Sequence, residues 1–254
     1  LPICSAFLYS NHRTVRSSKP FYLENMKKLF PFLLFLTTSW GQSYTVKILG
    51  VLAADVEQTV HDSGMIEFKT QNRGLFDLIW PVNNVYIAQY DSNSFALKSW
   101  NKRIKQGEFT QDISAKMDFL GFLAYDENTL IETPKPIHTI FTLLAMVQSR
   151  SYDKLDSKWF NYEQEGLLGQ ARFVWADSSN TWNGKDSTLC DHYRLDIKIN
   201  DTSRKIEKQT DYFLAQMISE DTVKEMWVSR ALPKKIIKAQ LKTTLFPVIA
   251  TINE

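Results

Sequence analysis

The chain has 254 residues, 44% of them hydrophobic and 23% charged, with a formal net charge of +2. Such a composition can bury a core and excludes a disordered chain. So small a charge, with the lysines spread among acids, argues against nucleic-acid binding.

Residues 1–25 begin with Leu and show no clear periodicity. They read either as an over-extended N-terminus, with the true start at Met26, or as a basic extension carrying Arg13, Arg16 and Lys19. Positions 26–41 have the three parts of an export signal: Lys27 and Lys28, the apolar run Leu29 to Leu36, and a small-residue exit at Ser39-Trp40-Gly41. The apolar run is far short of the roughly 20 residues a membrane-spanning helix needs. It therefore reads as a signal peptide cleaved after Gly41, with no transmembrane anchor and a periplasmic destination; secretion beyond the cell stays open. Residues 42–254 would then form a single β-rich domain. Of the cysteines Cys4 and Cys190, only Cys190 would remain, as one buried thiol without a disulfide.

From Tyr44 onward the pattern has period two: "YTVKIL", "MIEFKT", "NVYIAQY" and "FALKSW", separated by Asn, Asp, Ser or Gly. Alternation broken by turn residues predicts consecutive antiparallel strands. "GLFDLIWP" interrupts them with Leu75, Phe76, Leu78, Ile79 and Trp80, an apolar connector expected to cap the mouth of the fold or to meet a partner. Hairpin turns are predicted at Gln106-Gly107 and Glu165-Gly166.

"TPKPIHTIFTLLAMVQSR", 133–150, departs from alternation. Pro134 and Pro136 suit a helix start, and the near-continuous apolar residues from Ile137 to Val147 predict a helix buried on most sides. Strands are expected again in "DHYRLDIKI", "DYFLAQMIS", "TVKEMWVSR", "PKKIIKAQL" and "TLFPVIATI", with "NDTSRKIEKQT" as a polar loop. The predicted fold is mainly β: a strongly curved antiparallel sheet or half-barrel with one apolar helix packed on its concave face.

The order of "YTVKILGVLAADVEQTV", "NRGLFDLIWPVNNVYIAQYDSNSFALKSWNKRIKQGEF", "KPIHTIFTLLAMVQSR" and "VKEMWVSRALPKKIIKAQL" resembles that of the bacterial exported proteins grouped as domain of unknown function 3108. The resemblance runs over roughly Tyr44 to Ile252. It differs at Ala53-Ala54, where such proteins tend to have a Gly, and at Arg230-Ala231, in place of an Asp-containing turn. It implies an exported, β-rich envelope protein with no established catalytic residues.

Chemistry-bearing motifs are scarce. His61, His138 and His192 form no HExxH pair, "CDHY" at 190–193 is too small to hold a zinc ion unaided, and there is no G-x-S-x-G, P-loop or G-x-G-x-x-G. Glu220, Asp221 and Glu225 lie close in sequence, but glycoside hydrolysis needs two carboxylates facing across a cleft. Asp191 and Asp196 read as solvent-facing. No catalytic residue, metal site or cofactor is assigned, and the protein is not read as an enzyme. The reading is an exported envelope protein that binds a lipid-like or other apolar ligand, with Phe76, Trp80, Ile140, Phe141 and Leu144 as contact residues. The alternative is a structural or assembly factor acting on an envelope protein partner through the Phe76–Trp80 segment.

Overall fold

A computed structural model describes residues 39–125, 129–200, 203 and 205–253. The leader 1–25 and positions 26–38 of the predicted export signal lie outside them. Ser39, Trp40 and Gly41 are the first residues of a strand and pair with His61, Val60 and Thr59, so the domain start expected at Gln42 falls inside that strand.

Eight strands follow in the first part of the chain: β1 (Ser39–Ile48), β2 (Val51–His61), β3 (Met65–Asn72), β4 (Asn83–Tyr90), β5 (Leu97–Gln106), β6 (Phe109–Met117), β7 (Phe122–Tyr125) and β8 (Thr129–Glu132). A short helix, α1 (Gly74–Ile79), connects β3 to β4. Next come β9 (Ile137–His138), α2 (Ile140–Val147) and α3 (Tyr152–Leu155). The second part contains β10 (Trp159–Gln164), β11 (Leu167–Trp182), β12 (Ser187–Ile199), α4 (Tyr212–Ile218), β13 (Val223–Ser229), β14 (Ile236–Lys242) and β15 (Pro247–Asn253).

The fifteen strands of the described residues form one sheet, in the order β8-β7-β6-β5-β4-β3-β2-β1-β15-β14-β13-β12-β11-β10-β9. Every pair of neighbouring strands is consecutive in the chain except β1 and β15, which pair with Tyr44 opposite Ile252. Pairing is antiparallel throughout, apart from Ile137 and His138 of β9, which run parallel to Asn161 and Tyr162 of β10. The sheet is not closed: β8 and β9 are its two end strands. Side chains join the strands next to these ends, because the Tyr125 hydroxyl on β7 donates to Glu163 on β10, and Gly166 N donates to both, at 3.1 and 2.8 Å.

Alternation explains the burial. On β4, Asn84, Tyr86, Ala88 and Tyr90 face inward; on β13, Lys224, Met226 and Val228 do. The two predicted hairpins form with small shifts. The first turn is Gly107-Glu108, one residue later than read, with Gly107 at φ +60°. The second is Glu165-Gly166, both at positive φ, which is the type I′ geometry that follows the twist of the flanking strands.

Helix boundaries differ from the sequence reading in two places. α2 starts at Ile140, because Ile137 and His138 are taken up by β9 and Thr139 caps the helix with Thr142 in a reciprocal capping box. "DYFLAQMIS" is helix α4, not a strand: the Asp211 side chain accepts from Leu214 N, and Leu214 and Met217, three apart, form its buried stripe. α2 is tied to the sheet by a polar knot in which Gln42 and Gln58 donate to Gln148 Oε1 at 3.0 and 3.1 Å.

Candidate functional site

An apolar cavity of about 460 Å³ lies among the inward faces of β1–β4 and β12–β15, bounded by α1, α2 and α4. All five residues singled out from the sequence line it: Phe76 and Trp80 from the α1 segment, and Ile140, Phe141 and Leu144 from α2. The period-two pattern supplies the remaining wall, since inward residues such as Val56, Phe68, Met226 and Leu241 recur at alternate strand positions.

Phe141 is the hub of the α2 side. Its ring centroid lies 5.0 Å from Tyr86, 5.6 Å from Phe68 and 6.4 Å from Phe213, distances at which tilted aromatic pairs attract. At the opposite boundary Trp80 is held by its own main chain, since Asn72 Nδ2 donates to Trp80 O at 2.8 Å and Gly107 N donates to Pro81 O at 2.8 Å. A Cβ at Gly107 would come within 3.3 Å of the Trp80 ring, so the glycine supplies both the positive φ and the room for the indole. Phe76 and Trp80 border the cavity, Trp80 with about half its surface still exposed, whereas Leu75, Leu78 and Ile79 do not line it and are 64%, 82% and 74% exposed.

Beside the cavity lies an ion cluster that no sequence motif announced. Lys102 is wholly buried on β5 between Trp100 and Ile104, and its Nζ contacts Glu165, Asp211 Oδ2 at 3.2 Å and Thr210 Oγ1 at 3.2 Å. The Tyr86 hydroxyl donates to Asp211 at 2.8 Å, and Thr210 donates to Glu165 at 2.7 Å. The only sequence signal was a lysine at an inward alternation position, which is indistinguishable from a solvated one until the facing strand is known.

Glu163, next to this cluster, is fully buried, and burial pushes its carboxyl up from 4.5 to about 7. The folded protein therefore holds a proton there that the unfolded chain releases between about pH 4.5 and 7. Stability falls as pH rises through that window and levels off above it, by about 3 kcal/mol in all. Glu163→Gln keeps an acceptor for Tyr125 and Gly166 without the charge. Urea denaturation should show the variant gaining about 2–3 kcal/mol over the parent between pH 5 and pH 8; parallel pH profiles would count against a protonated Glu163.

Asp191 is not solvent-facing as the alternation suggested: it is buried, accepting from Arg230 at 2.7 and 2.9 Å and from the Trp175 indole at 3.2 Å. The register shift between Trp175 and Asp177 interrupts the alternation opposite it, and Arg230 reaches back from the end of β13. Asp196 is partly buried between Arg172 and Arg194. Cys190 is buried, and burial pushes its thiol up, away from a reactive thiolate. His192 stacks on Trp227 at 4.3 Å, while His138 is buried between the carbonyls of Asn161 and Ser94. Glu220 and Asp221 lie in an exposed turn. Among the described residues no group of three His, Cys, Asp or Glu side chains is placed to hold a metal, and no helix is long and apolar enough to cross a membrane.

The fold is thus that of a mainly β protein with a large antiparallel sheet. No family profile matches the chain, and no curated protein does. Among solved structures it is similar to a β-barrel-like protein of domain of unknown function DUF1849 from Brucella abortus. The TM-score is 0.53 at 7% identity, over 86% of this chain and 97% of that one, a likeness of fold alone.

Proposed function

We propose that the protein is an exported, non-enzymatic binder that holds a lipid-like or other apolar ligand inside a strongly curved antiparallel sheet, with α2 against the concave face. The observation that carries this reading is the cavity of about 460 Å³ with its almost wholly apolar wall. Ligand pockets span about 300–1,000 Å³ and combine apolar walls with a few polar groups. The side-chain bonds joining β7 to β10, strands next to opposite ends of the sheet, support that curvature. Export to the periplasm rests on the signal pattern at 26–41 and on the resemblance to the exported proteins of domain of unknown function 3108. Each methylene of a bound chain contributes about 0.8 kcal/mol when it leaves water, so a long-chain ligand gains enough to be retained through purification.

Native mass spectrometry of the protein recovered from its exported form, followed by organic extraction, tests this. A lipid near one per chain is the expected result, and Ala239→Trp, which fills the wall at β14, should lower that occupancy with the far-UV spectrum unchanged. An empty protein with a fully packed interior would defeat the proposal.

A second reading, an envelope assembly factor, draws on the outward side of α1. Leu75, Leu78 and Ile79 form an apolar patch of the kind that marks contact surfaces. Under it, Trp80→Glu should abolish pull-down of an envelope partner while the domain stays folded, and retained pull-down would count against it.

A further inference from the structure

Among the described residues two lysines are buried, and they are provisioned differently. Lys102 is neutralised by Glu165 and Asp211. Lys224, an inward residue of β13 only 5% exposed, lines the cavity beneath α4 and has no carboxylate within 4 Å among the described residues. Its Nζ donates to two backbone carbonyls, Ser219 O and Thr222 O, both at 2.8 Å. An ammonium carries three N–H donors, so one remains without an acceptor among the described residues. Its cross-strand neighbours, Leu195 and Leu241, are apolar and also line the cavity.

No surrounding acid among the described residues pairs with it directly, although Asp196 and Glu220 favour its charged form from farther away. Asp196 is held by Arg172 at 3.0 Å and Arg194 at 2.8 Å, Glu225 lies 2.7 Å from Lys242 Nζ, and Glu220 sits on the exposed turn. The tyrosines of the wall, Tyr44, Tyr86 and Tyr212, are all driven toward their neutral forms by burial. A buried cation without a direct counter-charge is costly unless something supplies one.

With the cavity read as a ligand site, on which this rests, we propose that Lys224 is the counter-ion for an anionic amphiphile, a carboxylate or phosphate headgroup on a long apolar chain. The headgroup sits beneath α4 and the chain runs toward Phe141 and Leu144. Burial lowers the Lys224 ammonium to about 8, so without a ligand it is poised to lose its proton just above neutrality, and an anion arriving beside it holds the proton on.

The test is a binding titration by intrinsic tryptophan fluorescence with oleate, oleyl phosphate and oleyl alcohol. The parent protein should bind at least one anion tenfold or more tightly than the alcohol, and whichever anion leads names the headgroup. Lys224→Met should erase that preference while still binding the alcohol, and Lys224→Arg should keep it. In the parent the preference should fade between pH 7 and pH 10, a readout that needs no variant. Equal binding of all three probes, or a preference untouched in Lys224→Met, would overturn the counter-ion role and leave the cavity reading standing. Binding of none would remove the cavity reading and this proposal with it.

Discussion

Lys102→Met is expected to destabilise the protein by about 3–5 kcal/mol, the range for removing one partner of a buried ion pair. The lysine is wholly buried, so its loss strands two carboxylates, Glu165 and Asp211, that are themselves 1% and 0% exposed in their side chains. Neither can turn to solvent. Glu165 is set by a type I′ turn at φ +51°, and Asp211 is committed to capping α4 through Leu214 N and to accepting from Tyr86. The cluster also joins three separate pieces, β5, the β10–β11 turn and the start of α4, so the penalty acts on long-range contacts. Neutralising both acids as well, in Lys102→Met with Glu165→Gln and Asp211→Asn, should recover most of the loss, because the cost is that of unpaired buried charge rather than of the lost attraction. Equilibrium urea denaturation of the single and triple variants decides it. A single variant within about 1 kcal/mol of the parent would mean that the two acids find water or protons at little expense.

Phe141→Ala should cost a similar amount, about 3–5 kcal/mol, through lost burial and the void left behind. Phe141 is 3% exposed and touches the rings of Phe68, Tyr86 and Phe213, which come from β3, β4 and α4. Its removal loosens α2 and α4 together. For a chain of this size the melting temperature should drop on the order of 10 °C. Leu144→Ala, at a half-buried position on the same helix face, should lose much less. If thermal melts showed the two variants equally destabilised, Phe141 would not be the wedge that the ring contacts describe. Because both residues border the cavity, under the proposed ligand-binding function each variant should also weaken ligand retention, and Phe141→Ala more strongly.

Much of the secondary structure was readable from local pattern. Alternation in "NVYIAQY" and "MIEFKT" marks strands because side chains on a pleated strand point to opposite faces. Glu165-Gly166 marks a hairpin because both turn positions need positive φ, which glycine adopts without penalty. The apolar run after Pro136 announced a buried helix, although its first turn was lost to β9. "DYFLAQMIS" was misread because a short apolar run has no decisive period; the Asp211 cap and the burial of Leu214 and Met217 settle it as helix.

The five cavity residues were legible for a simple reason: large apolar side chains clustered outside the strand pattern, in Phe76–Trp80 and in α2, must be sheltered by something. Lys102, Glu163, Lys224 and Asp191 were not legible, since a charged residue at an inward strand position looks the same in sequence as one facing water. By itself the sequence determined which segments alternate, where hairpins turn and which apolar stretches need cover, because these depend on neighbours a few residues apart. Only the tertiary structure decided that β1 pairs with β15, that β7 and β10 meet through Tyr125 and Glu163, and that one buried lysine is neutralised while the other faces an apolar cavity. Those outcomes depend on which faces are brought together across the sheet, and alternation specifies a face without naming its partner.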